Sequence, residues 1–187
     1  MGICTLKVVP LTLVALLLGF APACSRAPEG LPLRNTGHYA IIETDRGTIV
    51  IELYPEVAPL TVENFEKLVK DGFYDGLTFH RVEPGFVVQG GDPDGTGMGG
   101  PGYDVPAEIS ATEKHLRGTV ATARKGDEVN PQRRSSGSQF YICLENAPNL
   151  DQGYTIFGGV VSGMDLVDKI RRGDQMKKVT LSDQPPK

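Results

Sequence analysis

From residue 38 onward the apolar positions alternate or recur every third and fourth residue, the periods of strands and helices. Residues 38–44 and 47–53 are rich in β-branched side chains and flank Asp45-Arg46-Gly47, which predicts a hairpin. Pro55 and Pro59 interrupt that pattern. Val62, Phe65, Leu68 and Val69 then recur at helical spacing, with Glu63 suited to the first turn and Gly72 to the position after the helix. Residues 79–82 and 86–89 alternate around the turn Glu83-Pro84-Gly85, so they read as paired strands. On that pattern Phe79 and Arg81 share a face, as do Phe86 and Val88, with Val87 and Gln89 on the other. The pairing would bring Arg81 near Phe86 and Gln89.

Four more strands are predicted, at 118–123, 139–144, 154–161 and 176–181. Gly158-Gly159 interrupts the third of them, which suits a bulge or a sharp bend. Met164, Val167 and Ile170 mark a second short helix closed by Gly173, and residues 125–137 read as a long exposed loop. The expected fold is mostly β: a closed eight-stranded antiparallel β-barrel capped by two α-helices, which hides the sheet edges and fills the interior with side chains.

One further stretch obeys neither period. Residues 8–20 are almost unbroken apolar, shorter than the roughly 20 residues of a membrane span but suited to a signal-peptide core. The run ends in Ala21-Pro22-Ala23-Cys24, which supports two readings. In one, Cys24 is lipidated and becomes the mature N-terminus; in the other, Ala21-Pro22-Ala23 is an ordinary cleavage site. Residues 1–23 are therefore assigned as leader, 24–37 (rich in Pro, Gly and charge) as flexible tether, 38–181 as one folded domain and 182–187 as tail. The protein is expected to be exported, either lipid-anchored and facing the periplasm or exterior, or soluble there.

Composition narrows the chemistry. The formal charge is −4, and loss of a leader whose one charged residue is Lys7 makes it −5, which argues against a nucleic-acid partner. Cys4 leaves with the leader and Cys143 lies in an apolar strand, where it reads as a small buried hydrophobe. No zinc spacing is present, so no metal is expected. Residues 95–100 formally satisfy G-x-G-x-x-G, but no strand precedes them and no helix follows, so they read as a surface loop. Ser136-Gly137-Ser138 lacks a nucleophile elbow. The densest chemistry is in residues 79–92, FHRVEPGFVVQGGD, which hold no Ser or Cys nucleophile and no paired acids. Taken alone, an Arg between strands is most often solvated or ion-paired, and a His beside it structural.

The motifs together resemble the cyclophilins, the peptidyl-prolyl cis-trans isomerases. Phe79-His80-Arg81-Val82, Phe86-Val87-Val88-Gln89-Gly90-Gly91-Asp92, the glycine loop at 95–100, Gly137-Ser138-Gln139-Phe140-Tyr141-Ile142, and Leu150-Asp151 with Tyr154-Thr155-Ile156-Phe157-Gly158 fall in family order. The resemblance implies that Arg81 is the catalytic guanidinium, with Phe86 and Gln89 beside it. Phe86, Val87, Tyr141 and Leu150 would form a proline cup, Ala123 and Arg124 would lie along the peptide groove, and His80, Gly95, Gln139 and Tyr154 would line the rim. Val87 and Tyr141 replace a common Met and Phe. Asn149 stands where cyclosporin-sensitive members carry Trp, which implies weak cyclosporin binding.

Such a reaction needs no cofactor. Rotating an X-Pro bond costs about 18–20 kcal/mol because amide resonance is lost. A guanidinium can donate to the lone pair that the proline nitrogen regains when twisted, favouring the midpoint over both planar forms. Three functions are weighed: a foldase for exported proline-containing polypeptides, acting as a monomer; a non-catalytic binder of proline-containing segments; and a small-molecule-binding barrel, which a filled interior disfavours.

Overall fold

The computed structural model describes residues 1–2 and 31–185. Most of the leader, the lipidation candidate Cys24, the tether up to residue 30 and the last two residues of the tail lie outside the described residues.

The first hairpin forms as the pattern predicts. β1 (Tyr39–Thr44) pairs with β2 (Gly47–Leu53), and Thr44 faces Gly47 across a two-residue turn. α1 (Pro59–Lys70) starts at a proline, whose missing N–H costs nothing at a helix start. No local side chain caps it. Glu108 supplies the cap from far along the chain, accepting from the backbone N–H groups of Leu60 and Thr61 at 3.0 and 2.8 Å and from the Thr61 hydroxyl at 2.7 Å. The predicted stripe of Val62, Phe65, Leu68 and Val69 is buried, and Gly72 follows the helix with φ 69°.

The remaining elements are β3 (Arg81–Glu83), β4 (Val87–Gly90), β5 (Asp104–Val105), β6 (Thr119–Thr122), β7 (Ser135–Ser136), β8 (Phe140–Cys143), β9 (Ile156–Ser162), the single-turn α2 (Met164–Val167) and β10 (Met176–Ser182). Eight of the strands form one antiparallel sheet in the order β10-β1-β2-β9-β6-β8-β4-β3. β5 and β7 make a separate two-stranded ribbon. The pattern did not predict it, because two-residue strands carry no periodicity.

Eight antiparallel strands with two helices agree with the expected fold class, but the expected closure needs correction. The sheet curls without closing, and its ladder ends at β3 and β10. β3 is three residues long, too short to pair along β10. Chain just ahead of β3 and the chain entering β10, up to its first residue Met176, bridge the gap instead. Phe79 N–H donates to the Asp174 carbonyl at 2.9 Å, Gly173 N–H to Phe79 at 3.0 Å and Met176 N–H to Leu77 at 2.8 Å.

This bridging also corrects the expected facing of Phe79. It precedes β3, so strand alternation does not reach it, and it is buried in the main core while Arg81 is exposed. Phe86 likewise precedes β4, and it packs with Val87 rather than with Val88.

Within the strands, alternation holds and makes two cores. Val88, Ile142 and Val120 face one another across β4, β8 and β6, and join Ile42, Ile51 and Phe157 in the main core. The ring of Phe65, from α1, meets Phe140 edge-on at 5.8 Å. On the opposite face Val87, Tyr141, Cys143, Ala121 and Ile156 form a second cluster.

Residues 31–37, expected as part of a free tether, run along the domain. The reason is Glu52, a fully buried carboxylate that must find donors. It accepts from the backbone N–H groups of Arg34 at 2.7 Å and Thr36 at 2.9 Å, and from the Tyr39 hydroxyl at 3.3 Å. Leu31 N–H donates to the Val160 carbonyl at 2.8 Å. The Arg34 guanidinium lies 3.8 Å over the Tyr54 ring and pairs with Glu113. Gly159 leaves the room this strap needs, since a Cβ there would collide with the Tyr54 hydroxyl and Leu31.

A chain beginning at His38 is expected to be less stable than one beginning at Leu31 by about 1–3 kcal/mol, because Glu52 keeps only the Tyr39 hydroxyl. Urea denaturation of the two chains measures this, and equal midpoints would show that the strap adds no stability.

Candidate active site

One cross-strand row builds the site. Arg81 of β3 faces Gln89 of β4, Gln89 faces Tyr141 of β8, Tyr141 faces Ala121 of β6, and Ala121 faces Ile156 of β9. Paired residues in an antiparallel sheet point to the same side. The row therefore places a guanidinium, an amide and an apolar surface on the face away from the main core.

Side-chain bonds fix the polar half of the row. Arg81 Nη1 donates to Gln89 Oε1 at 3.2 Å. Gln89 Nε2 donates to Gln139 Oε1 at 2.9 Å, and Gln139 Nε2 donates to the Gly99 carbonyl at 2.8 Å. The Gly99 carbonyl can only accept, so the Gln139 amide orientation is set by the backbone and the Gln89 orientation by Gln139. Arg81 Cζ lies 6.0 Å from the Phe86 ring centroid, and its Nε is 3.6 Å from the Glu83 carboxylate.

The apolar half forms a cup. Val87, Tyr141 and Leu150 are buried, and Phe86, Ala123 and Tyr154 pack against them. Leu150 ends a short 3-10 turn (Pro148–Leu150), which also carries Asn149, exposed. Tyr154 precedes β9 and its ring meets Tyr141 edge-on at 5.8 Å. Arg124 flanks the cup, with Cζ 4.6 Å from the Tyr154 ring centroid and Nε donating to the Gly153 carbonyl at 2.7 Å. Cys143 lies under the cup; burial pushes its thiol up to about 12, which suits packing rather than nucleophilic work.

A groove of about 570 Å³ adjoins the cup, lined by Gln89 and Gln139 of the polar half, by Ala123 of the cup and by Arg124. Lys125, Asn130 and Arg134 line the groove, so the long loop after β6 forms one wall. The loop is braced by Asp127, which accepts from Arg124 at 2.5 Å and Arg133 at 2.8 Å. Gly97 and Gly99 line the groove, whereas Gly95 lies near Thr78.

His80 lies beside the glycine loop, its Nε2 4.0 Å from the place of a Cβ on Gly97. It is buried, and neither ring nitrogen has a partner among the described residues. Burial lowers its pKa although Asp92 opposes this. Burial also acts to raise the Asp92 carboxyl, but the backbone N–H groups of Asp94, Gly97 and Gly99 outweigh it and hold the carboxyl below its usual range.

The structure adds His115, which the sequence reading passed over. It is a single His in a loop, with no motif or periodicity to single it out. His115 is buried, and its ring stacks on that of Tyr141 with centroids 6.1 Å apart. Nε2 is 3.0 Å from the Tyr141 hydroxyl and Nδ1 is 3.1 Å from Asp151 Oδ1. Burial lowers its pKa against the pull of Asp151.

A curled antiparallel sheet carrying an Arg and a Gln beside an outward apolar cup defines the cyclophilin class of peptidyl-prolyl isomerase. The chain belongs to that family: the family model for cyclophilin type peptidyl-prolyl cis-trans isomerase matches residues 39–186. A peptidyl-prolyl cis-trans isomerase of Synechococcus elongatus is 49% identical over 144 residues, covering 76% of this chain and 94% of the relative. Peptidyl-prolyl cis-trans isomerase B of Bacillus subtilis is 48% identical over 148 residues, covering 79% and 98%. A crystal structure of a Cryptosporidium parvum cyclophilin superposes with TM-score 0.71 at 29% identity, covering 79% of this chain and 99% of that one. The protein is a cyclophilin-type peptidyl-prolyl cis-trans isomerase.

The two buried histidines predict a pH dependence of stability. Both have folded pKa values below the unfolded value of about 6.5, so the native state resists their protonation. Their contribution is fully present above about pH 6.5 and is lost as the pH falls through the depressed folded values. The melting temperature is expected to fall between about pH 7 and pH 5, before the carboxylates titrate. A flat melting temperature over that window would contradict the assignment.

Proposed function

We propose that Arg81 is the catalytic group of this isomerase, that Gln89 aims it, and that Phe86, Val87, Tyr141 and Leu150 hold the proline ring. The observation that carries this reading is the 3.2 Å bond from Arg81 to Gln89 at the edge of the apolar cup. In the planar peptide the proline nitrogen shares its lone pair with the carbonyl and accepts poorly. At the twisted midpoint the pair is localised, and Arg81 donates to it. The stabilisation is thus larger in the transition state than in either planar state, which is the condition for a rate increase. Gripping the ring on one side leaves the preceding residue free to turn. Gln89 also offers its amide to a substrate carbonyl. Ala123, Arg124, Gln139 and Tyr154 border the peptide path.

The substrates on this reading are proline-containing polypeptides. A related Cryptosporidium parvum cyclophilin was crystallised in the presence of the dipeptide Ala-Pro, and superposes with TM-score 0.65 at 28% identity over 78% of this chain and 95% of that one. The clients are exported proteins still folding. That part rests on the apolar leader at 8–20, and on Cys24 as a lipid anchor holding a monomeric enzyme at the membrane on the periplasmic or outer side.

Replacing Arg81 with Ala is expected to lower kcat/KM for an Ala-Pro peptide by about 10²–10³, the usual cost of removing one transition-state donor. The unfolding midpoint should hold, because the side chain is exposed. Coupled-protease or exchange-NMR assays measure the rate; wild-type activity in the folded variant would remove Arg81 from the mechanism.

A further inference from the structure

We propose that His115 is a positioning residue for the proline cup: as the neutral imidazole it accepts the Tyr141 hydroxyl and keeps that group turned out of the cup, and acidic pH weakens substrate binding by removing this acceptor. The proposal rests on the isomerase reading and extends it to a residue that touches no substrate.

The protonation pattern follows from the partners. The Asp151 carboxylate can only accept, so His115 Nδ1, at 3.1 Å from it, carries the ring proton. Nε2 is then bare and accepts from the Tyr141 hydroxyl at 3.0 Å. Asp151 Oδ1 also accepts the His115 backbone N–H at 2.8 Å, and this holds the ring in place from a second direction. The imidazole is only 1% exposed, so water cannot substitute for any of these partners.

The reason the cup needs this bond is the extra oxygen of Tyr141. The ring forms part of the apolar wall with Val87 and Leu150. With its hydroxyl donated to His115, the wall presents carbon to a proline ring. On the imidazolium, Nε2 carries a hydrogen and can no longer accept. The phenol hydrogen must rotate away from it, and the hydroxyl has no other acceptor among the described residues. An unsatisfied donor then stands beside the cup and substrate binding suffers. Other groups bearing on the ring are few. Asp151 faces Nδ1 and favours the imidazolium, Lys114 at 3.4 Å from Asp151 weakens that pull, and the Tyr154 ring stands edge-on at 6.3 Å with Arg124 over it. Burial outweighs Asp151, and the ring stays neutral near pH 7.

The test follows wild-type and Tyr141→Phe enzymes on an Ala-Pro peptide from about pH 7.5 down to the lowest pH at which both stay folded, a window that reaches below the ordinary histidine titration because burial lowers that of His115. The expected result is a wild-type KM that climbs as the pH falls below the ordinary histidine range, toward about tenfold once His115 is protonated, with kcat changed little, the cost of one unsatisfied donor. In Tyr141→Phe the KM should be independent of pH, because no hydroxyl remains to be displaced. A purely structural His115 would shift stability in both proteins alike and leave their KM profiles parallel. Nitrogen NMR of the histidine rings at pH 7 should show Nδ1 protonated and Nε2 bare. A wild-type KM flat across the window, an equal rise in both proteins, or the opposite tautomer would each overturn the proposal while leaving the isomerase intact. Absence of isomerisation by folded wild-type enzyme would overturn both.

Discussion

Gln89 stands opposite Tyr141 across β4 and β8, and most of the site follows from that register. Successive residues of a strand point to opposite sides, so fixing one pair fixes both faces of every strand joined to it. Val88, Ile142 and Val120 go to the main core, and Val87, Tyr141 and Ala121 to the outer cluster. A slip of one residue would bury Gln89 and the Tyr141 hydroxyl in the main core and turn valine and isoleucine to the groove. The register is held where β4 ends and β8 begins. Gly91 approaches Ser138 so closely that a Cβ would collide with its carbonyl, and the Ser138 hydroxyl donates to the Gly91 carbonyl at 2.6 Å.

The same sheet solves two opposed electrostatic demands. An apolar cup has to stay dry, while the guanidinium beside it has to be aimed. Arg81 is exposed, so its charge carries little desolvation cost. Its direction comes from the amide chain through Gln89 and Gln139, which is anchored on a backbone carbonyl and needs no buried charge. Polar groups under the cup are paired within the protein. His115 takes the Tyr141 hydroxyl and Asp151 takes His115. His80, with no partner for either nitrogen, is the exception among the described residues.

Much of this was legible in the sequence because it is local. The turn at Glu83-Pro84-Gly85 and the alternation on either side bring Arg81 near Gln89, and the structure pairs the two residues directly. The misreadings fall where alternation is carried past the end of a strand. Phe79 and Phe86 each precede a strand, so their directions are set by contacts with chain remote in sequence. Closure was overstated for a related reason: strand length decides it, and β3 is three residues long. The bound strap at 31–37 and the His115 bonds were invisible in a different way. Their partners, Glu52, Tyr141 and Asp151, lie 16 or more residues away, and no spacing rule joins them.

On the proposed mechanism catalysis depends on Arg81 being aimed through a chain of amides, beyond its mere presence beside the cup. Gln139 holds Gln89 without bonding Arg81, so its loss reaches Arg81 through Gln89, whereas any loss of contact with the peptide path falls on KM. The measurement is kcat for Ala-Pro isomerisation by a Gln139→Leu variant, with the fold checked by its melting temperature. The expected result is a fall of about tenfold in kcat, equivalent to roughly 1.4 kcal/mol of lost transition-state stabilisation. A folded variant with the wild-type kcat would contradict it.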